Sequence, residues 1–339
     1  MWKAVYLAIF LTFALMVNIA HAESTVKTDG VVARNVWMVG LKKLFDQGQY
    51  AELEKIAQKI RRNKEHFPEG AEKISYFYDA FDKPITKDDE TWLNLLANIE
   101  TWRKTFPESI TPQVAEARVW DNYAWEARGG GYANEVSEQR WMLFRERLRK
   151  ARDLAERAPL KSSDDCPARH ALLLKAAYSD NLNDYEKKFR MAIAFDPSYS
   201  DFYQLKASFL LPQWHGSPGD SIRFANEAIF LAPKGQGLII YSRIMWHLWA
   251  KSDEVSTFKE PGVSWEKVKQ GFFDLEKQYP DSPWNLNWFC RLACAAGDKK
   301  TAQILFTRIG SRPYIEAWGV PNSAKARFES MKQWAFSGN

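Results

Sequence analysis

Between Val114 and Ala155, apolar residues recur three or four apart in two successive runs. Val114, Ala117, Trp120, Tyr123 with Ala124, and Ala127 share one helical face; Trp141, Phe144, Leu148, Ala151 and Ala155 share another. Glu146, Lys150, Arg152 and Glu156 fall on the opposite side of the second run and are expected to face water. Between the runs lies Gly129-Gly130-Gly131, which suits a sharp turn. The pattern predicts two amphipathic helices folded back on each other. Neither can hide its stripe alone, so both need neighbours.

The rest of the chain repeats the idea. X-Pro steps follow at Phe67-Pro68, Phe106-Pro107, Ala158-Pro159, Asp196-Pro197, Ala232-Pro233 and Tyr279-Pro280. Proline cannot continue a helix and pushes the residue before it out of the helical region, so each step reads as the end of a hairpin. Most spacings lie near the 34 residues of a tetratricopeptide repeat. The two longest, Pro107 to Pro159 and Pro233 to Pro280, read as a repeat plus an insertion: the glycine loop in the first, Ser252–Pro261 in the second. Leu44, Gly48, Tyr50, Leu53 and Ala57 mark a short turn between helices near the start. Late in the chain a helix from Trp284 to Ala296 turns at Gly297-Asp298, and its returning partner, with Ala302, Leu305 and Phe306, ends at Gly310. Residues 312–336 read as a capping helix striped by Phe328, Met331 and Trp334. With no alternating strand pattern of any length, the expectation is an all-α, tetratricopeptide-like α-solenoid of antiparallel helix hairpins with insertions.

Several stretches carry a resemblance. They are Asn122-Tyr123-Ala124-Trp125, Arg128-Gly129-Gly130-Gly131-Tyr132-Ala133, Trp141 with Phe144, Arg147 and Leu148, and Leu211-Pro212-Gln213-Trp214-His215-Gly216-Ser217-Pro218-Gly219-Asp220. The chain resembles the tetratricopeptide-like superfamily, and more closely the bacterial exported family of domain of unknown function 4034. The resemblance runs over roughly residues 85–235. It implies a helical fold and an exported setting, and brings no catalytic residues. The division that follows is a leader over 1–22, N-terminal repeats over 23–84, a central tetratricopeptide-like domain over 85–235, and C-terminal repeats with a cap over 236–339.

The address changes the picture most. Lys3, the apolar run Ala4–Val17 and Ala20-His21-Ala22 before Glu23 form a secretory leader with its cleavage site after Ala22. No cysteine follows that site, which argues against a lipid anchor, and no later apolar run reaches the ~20 residues of a membrane helix. The mature chain is therefore expected in the periplasm or outside the cell. The leader holds one lysine and no acid, so its removal lowers the net charge only from +5 to +4, too mild to call for nucleic acid. The run Arg140, Arg145, Arg147, Arg149, Lys150, Arg152 reads as a solvated helix face, because Glu146 precedes Lys150 by four, and Asp153 and Glu156 follow Arg149 and Arg152 by four. The 15 Trp, 13 Tyr and 21 Phe read first as interlocking core.

Chemistry is sparse. The motifs of metalloproteases, serine hydrolases, nucleotide-binding loops and calcium loops are missing. Cys166 with His170 after Asp164-Asp165 is too weak a spacing for zinc. Cys290 and Cys294 lie four apart on one helix face, where a mutual disulfide is strained, and read as buried thiols. No metal, cofactor or catalytic residue is assigned. Insertions in repeat proteins gather on one face, often the binding face, so Tyr123, Trp125, Arg128 and Tyr132 around the glycine loop, with Trp214 and His215, are the candidate partner-binding residues. The leading expectation is a non-enzymatic adaptor that binds a peptide or protein in the cell envelope. Two alternatives stand beside it: a periplasmic hydrolase using the Trp214–Asp220 loop, where Ser217 has no general base beside it in sequence other than the neighbouring His215, and a structural subunit of an envelope assembly.

Overall fold

The computed structural model describes residues 30–131, 133–157, 165–179, 181–251, 257–280, 282–311 and 313–338. The leader, its cleavage site, Tyr132 and the Ala158-Pro159 step lie outside the described residues. Fifteen α-helices fill the described chain: α1 Gly30–Asp46, α2 Tyr50–Asn63, α3 Lys73–Asp79, α4 Asp89–Thr105, α5 Ile110–Arg128, α6 Glu138–Glu156, α7 Pro167–Ala176, α8 Leu182–Phe195, α9 Ser200–Phe209, α10 Asp220–Leu231, α11 Gly237–Lys251, α12 Trp265–Gln278, α13 Pro283–Ala295, α14 Lys299–Ile309 and α15 Pro321–Phe336. Among the described residues there is no strand, only an isolated bridge between His66 and Glu72. No described helix is long and apolar enough to cross a membrane.

Local chemistry sets the boundaries. Side chains of Asp88, Ser109, Ser137, Asn181, Ser264, Ser282 and Asp298 accept from backbone N–H groups in the first turns of α4, α5, α6, α8, α12, α13 and α14. Proline opens α7, α13 and α15, where a missing N–H does no harm. Pro68, Pro107, Pro197, Pro233 and Pro280 follow the ends of α2, α4, α8, α10 and α12. These five proline steps thus mark the second helix of a hairpin. Seven hairpins, α1–α2 through α13–α14, are followed by the single cap α15, an all-α helical-repeat solenoid.

Helices within every hairpin but α3–α4 pack on each other, and odd helices also pack on odd: α1 on α3, α3 on α5, α5 on α7, α7 on α9, and α9 on α11. The odd helices therefore form the inner layer. α3 also reaches α7, a sign of a tight curl. The curl brings early and late repeats together. Asn285 Nδ2 donates to the Glu69 carbonyl at 3.1 Å, and Lys64 pairs with Asp196 at 3.1 Å. Gly70, at φ 83°, lies against the Tyr279 ring so closely that a Cβ would overlap it. The inner face is consequently a chamber rather than a long open groove.

Two large apolar clusters meet at α7. Cys166 and Ala168 join the cluster of α1–α5, whereas Ala171 and Leu174 join that of α8–α15. Trp102, Trp249 and Trp318 are fully buried, and Trp102 stacks on Tyr50 at 5.7 Å. The aromatic surplus is core, as its size dictates. Three expectations change in detail. α5 is buried almost all round, with Thr111, Ala115, Val119 and Asp121 inside as well as the expected stripe, because α4, α6 and α7 surround it. Arg152 of α6 does not point to water: it is half-buried and its Nη2 donates to the Ala176 carbonyl at 2.7 Å. The long interval before Pro159 is taken up by helix length as well as loop, since α5 and α6 each run 19 residues.

Candidate functional site

The residues that sequence singled out divide. Trp125, Arg128, Trp214 and His215 come together; Tyr123 does not join them. Successive positions on α5 face different neighbours, and Tyr123 turns toward α4. It stacks on Trp92 at 4.9 Å, its hydroxyl donates to Asp89, and the Arg147 guanidinium lies 3.3 Å from its ring centre. Trp125 instead meets Phe144, Tyr178 and Trp214 at 5.0, 6.1 and 5.6 Å. Arg128 sits over the rings of Trp141 and Trp214, and its Nη1 donates to the carbonyls of Gly129 and Gly131, both at 2.9 Å. His215 stacks on Phe209, and its Nε2 hydrogen-bonds the Tyr178 carbonyl at 2.7 Å, which requires the proton on that nitrogen. This is a packed junction that pins the 211–219 turn to α5 and α7. The glycine loop has a structural duty as well: the Arg140 guanidinium crosses directly above Gly129, at φ 72°.

Polar groups converge elsewhere, on the inner layer. Every odd helix from α1 to α13 contributes a side chain to a chamber at the centre of the curl. It has two adjoining lobes of about 230 and 250 Å³, which share Ser75, Asp79, Tyr199, Asp201 and Gln204. Arg34, Glu72, Tyr76, Arg243, Trp246 and Trp284 surround the first lobe; Arg118, Lys175 and His247 reach the second. A larger recess of about 440 Å³ lies between α12, α13 and α14, but its charged groups, Glu276 and Arg308, are already paired with each other.

Partnering distinguishes the chamber's charges. Arg34 is committed to Glu69 at 3.0 Å, and Arg118 to Asp79 and to Asp82 at 3.2 Å. Ser75 and Tyr199 hydrogen-bond each other, as do Ser208 and His247 Nε2 at 2.6 Å. Arg243 and Lys175 have no hydrogen bond or ion pair with any described residue, although both are half-buried and line the space. Glu72 meets only His66, at 4.0 Å, and Asp201 has no cation within ion-pair distance among the described residues.

Such placement strains the titrations. Burial, reinforced by the charges of Asp201 and Asp196, pushes the Glu72 carboxyl up to about 9. Burial also raises Asp201 and lowers Arg243, the latter opposed by the nearby Asp201 carboxylate. His247 is pushed down to about 4, first by burial and then by the Lys251 charge, so its imidazole is neutral at physiological pH. Mixed charges held short of contact in a shielded space are what a ligand with polar ends requires.

The chemistry weighed from sequence finds little support at its own positions. Asp220 accepts from the Ser217 backbone N–H at 2.7 Å, and among the described residues no hydrogen bond joins the Ser217 hydroxyl to His215. His170 bonds Asp165 at 2.8 Å and stacks on Phe195 at 4.6 Å; no group of three metal-ligating side chains occurs among the described residues. Cys166 and Cys290 are buried, burial raises both thiols, and Cys294 is half-buried and likewise free. The basic run of α6 is largely consumed within the molecule: Arg140 Nε donates to the Ala127 carbonyl at 2.8 Å, Arg145 pairs with Glu138 at 2.7 Å, and Lys150 with Glu146 at 3.0 Å.

Fold and site together define an all-α protein of helix-hairpin repeats curled about a charged inner chamber. Over residues 38–177 the chain matches the family model described as Domain of unknown function (DUF4034), so the resemblance read from the sequence is to that family. The match starts earlier than the stretch read from sequence and stops before the Leu211–Asp220 turn. It takes in Glu72, Asp79, Arg118 and Lys175 of the chamber, whereas Asp201 and Arg243 lie beyond it. No curated protein and no solved structure matches the chain.

Proposed function

We propose that this chain is an exported, non-enzymatic helical-repeat protein that serves as a binding adaptor in the cell envelope, and that it holds its ligand in the inner chamber. The observation that carries the reading is Arg243. Its side chain is half-buried, lines the chamber, and has no hydrogen bond or ion pair with a described residue. A charge partly withdrawn from water without a partner is destabilising unless something supplies the missing contact. A bound group of opposite charge supplies it. Export rests on Lys3, the Ala4–Val17 run and Ala20-His21-Ala22. The contact of Glu69 and Gly70 with Asn285 and Tyr279 favours a compact ligand or the end of a chain over an extended segment.

The test is affinity capture from periplasmic extract with three forms of the mature protein: wild type, Arg243→Gln and Arg128→Ala. Wild type and Arg128→Ala should retain the same partner, and Arg243→Gln should lose it. Full retention by Arg243→Gln removes the chamber from the account. The structural-subunit alternative has one observation in its favour: Val32, Val36 and Val39 lie along one side of α1, 51, 68 and 71% exposed. Sedimentation of the mature protein across a concentration range decides it, since a structural subunit should self-associate.

A further inference from the structure

We infer that the chamber binds a compact zwitterion, a free amino acid or short peptide that carries both a carboxylate and an ammonium group. This rests on the chamber being the ligand site and goes on to name the ligand's chemistry. The first lobe sets cation and anion acceptors around one space. Arg243 from α11 presents a guanidinium with no hydrogen-bond or ion-pair partner among the described residues, the fork geometry that takes a carboxylate by two parallel bonds. Asp201, from the first turn of α9, is a carboxylate with no cation in contact among the described residues, and Glu72 and Gln204 add hydrogen-bonding groups beside it.

Net charge narrows the class. A multiply charged anion would meet the carboxylates of Asp79 and Asp201, and a plain cation would meet Arg243 and Lys175. A molecule with one charge of each sign and none overall satisfies both sets. Size narrows it further: about 230 Å³ is the share of roughly eight liquid waters. That space admits one small organic molecule and no folded segment. An apolar wall is present too. Trp246 and Trp284 meet edge to face at 6.1 Å, so a ligand side chain can lie against an indole. The Trp246 Nε1–H is buried and has no acceptor among the described residues, which leaves a donor for the ligand's second polar atom.

The experiment is titration calorimetry on the mature protein with glycine, L-alanine, L-phenylalanine, L-glutamate, L-lysine and alanyl-alanine. Each zwitterion that binds is compared with its carboxamide and N-acetyl forms, and inorganic phosphate is titrated separately. At least one zwitterion should bind. Its carboxamide and its N-acetyl form should each bind at least tenfold more weakly, and Arg243→Gln and Asp201→Asn should each weaken the zwitterion at least tenfold while keeping the wild-type circular dichroism. The inference is overturned if no zwitterion binds wild type, if either blocked form binds within threefold of the free one, or if phosphate binds more tightly. The wild-type comparison decides even when a variant fails to fold. Should the captured partner depend on Arg243 while no zwitterion binds, the chamber remains the site and only this ligand class falls. Should a zwitterion bind wild type and both folded variants equally, the chamber falls with it.

Discussion

Glu72 shows at the level of one residue what the chamber demands of the fold. Its folded pKa of about 9 stands above the 4.5 of the free side chain. Below that lower value both states are protonated and the residue is neutral toward stability. As pH rises the unfolded chain ionises first, so the native state loses stability until the folded group also ionises. Glu72→Gln removes the effect. The variant should melt with wild type at pH 4 and increasingly above it toward pH 9, by a margin on the order of 1–3 kcal/mol. A margin that shrinks with rising pH would contradict this. Arg128 behaves oppositely, because its Nη1 bonds two loop carbonyls and its guanidinium lies over two rings of the packed junction. Arg128→Ala should lower stability in urea by about 1–2 kcal/mol, with capture unchanged. Had the loop been a free binding surface, capture would fall and stability would hold.

At the scale of elements, what a local pattern encodes was legible. The stripe of Phe144, Leu148, Ala151 and Ala155 is buried on α6, and the proline steps fall where alternate helices stop. The turn at Gly297-Asp298 and the stop at Gly310 are as read, and Phe328 of the cap is buried while Trp334 stays 38% exposed. The chamber was not legible in this way. Its members are spread over the seven odd helices from α1 to α13, so no window of sequence contains them, and only the curl assembles them. A faint signal existed. Arg118 interrupts the apolar run of α5, and Arg243 stands alone among Ile239, Ile240, Ile244 and Met245 on α11. A lone charge on an inner repeat helix is either paired or waiting for a partner. The α11–α12 hairpin offers an element-level check. A Cβ at Gly271 would fall on the Leu238 carbonyl and the Ser242 hydroxyl. Backbone cannot yield as a side chain tip can, so Gly271→Ala should cost about 1–3 kcal/mol in urea unfolding. An unchanged midpoint would mean that the two helices are less tightly apposed than their packing implies.

For the molecule as a whole, the curl is the decisive feature. An open solenoid offers a long concave surface to an extended peptide. Here the loop at Glu69–Gly70 meets α12 and α13, and the inner layer is enclosed. Export is a separate whole-molecule expectation: intact-mass measurement on protein from its native host should give a chain beginning at Glu23, and a species retaining Met1 would count against it. The central claim, that the ligand sits inside the curl, is tested most directly by hydrogen–deuterium exchange of the mature protein with and without its captured partner. Protection should rise in residues 69–79, in α9 and in α11, and stay level in residues 125–131 and 211–220. Protection confined to those two loops, with α9 and α11 unchanged, would place the ligand outside the chamber and contradict the account.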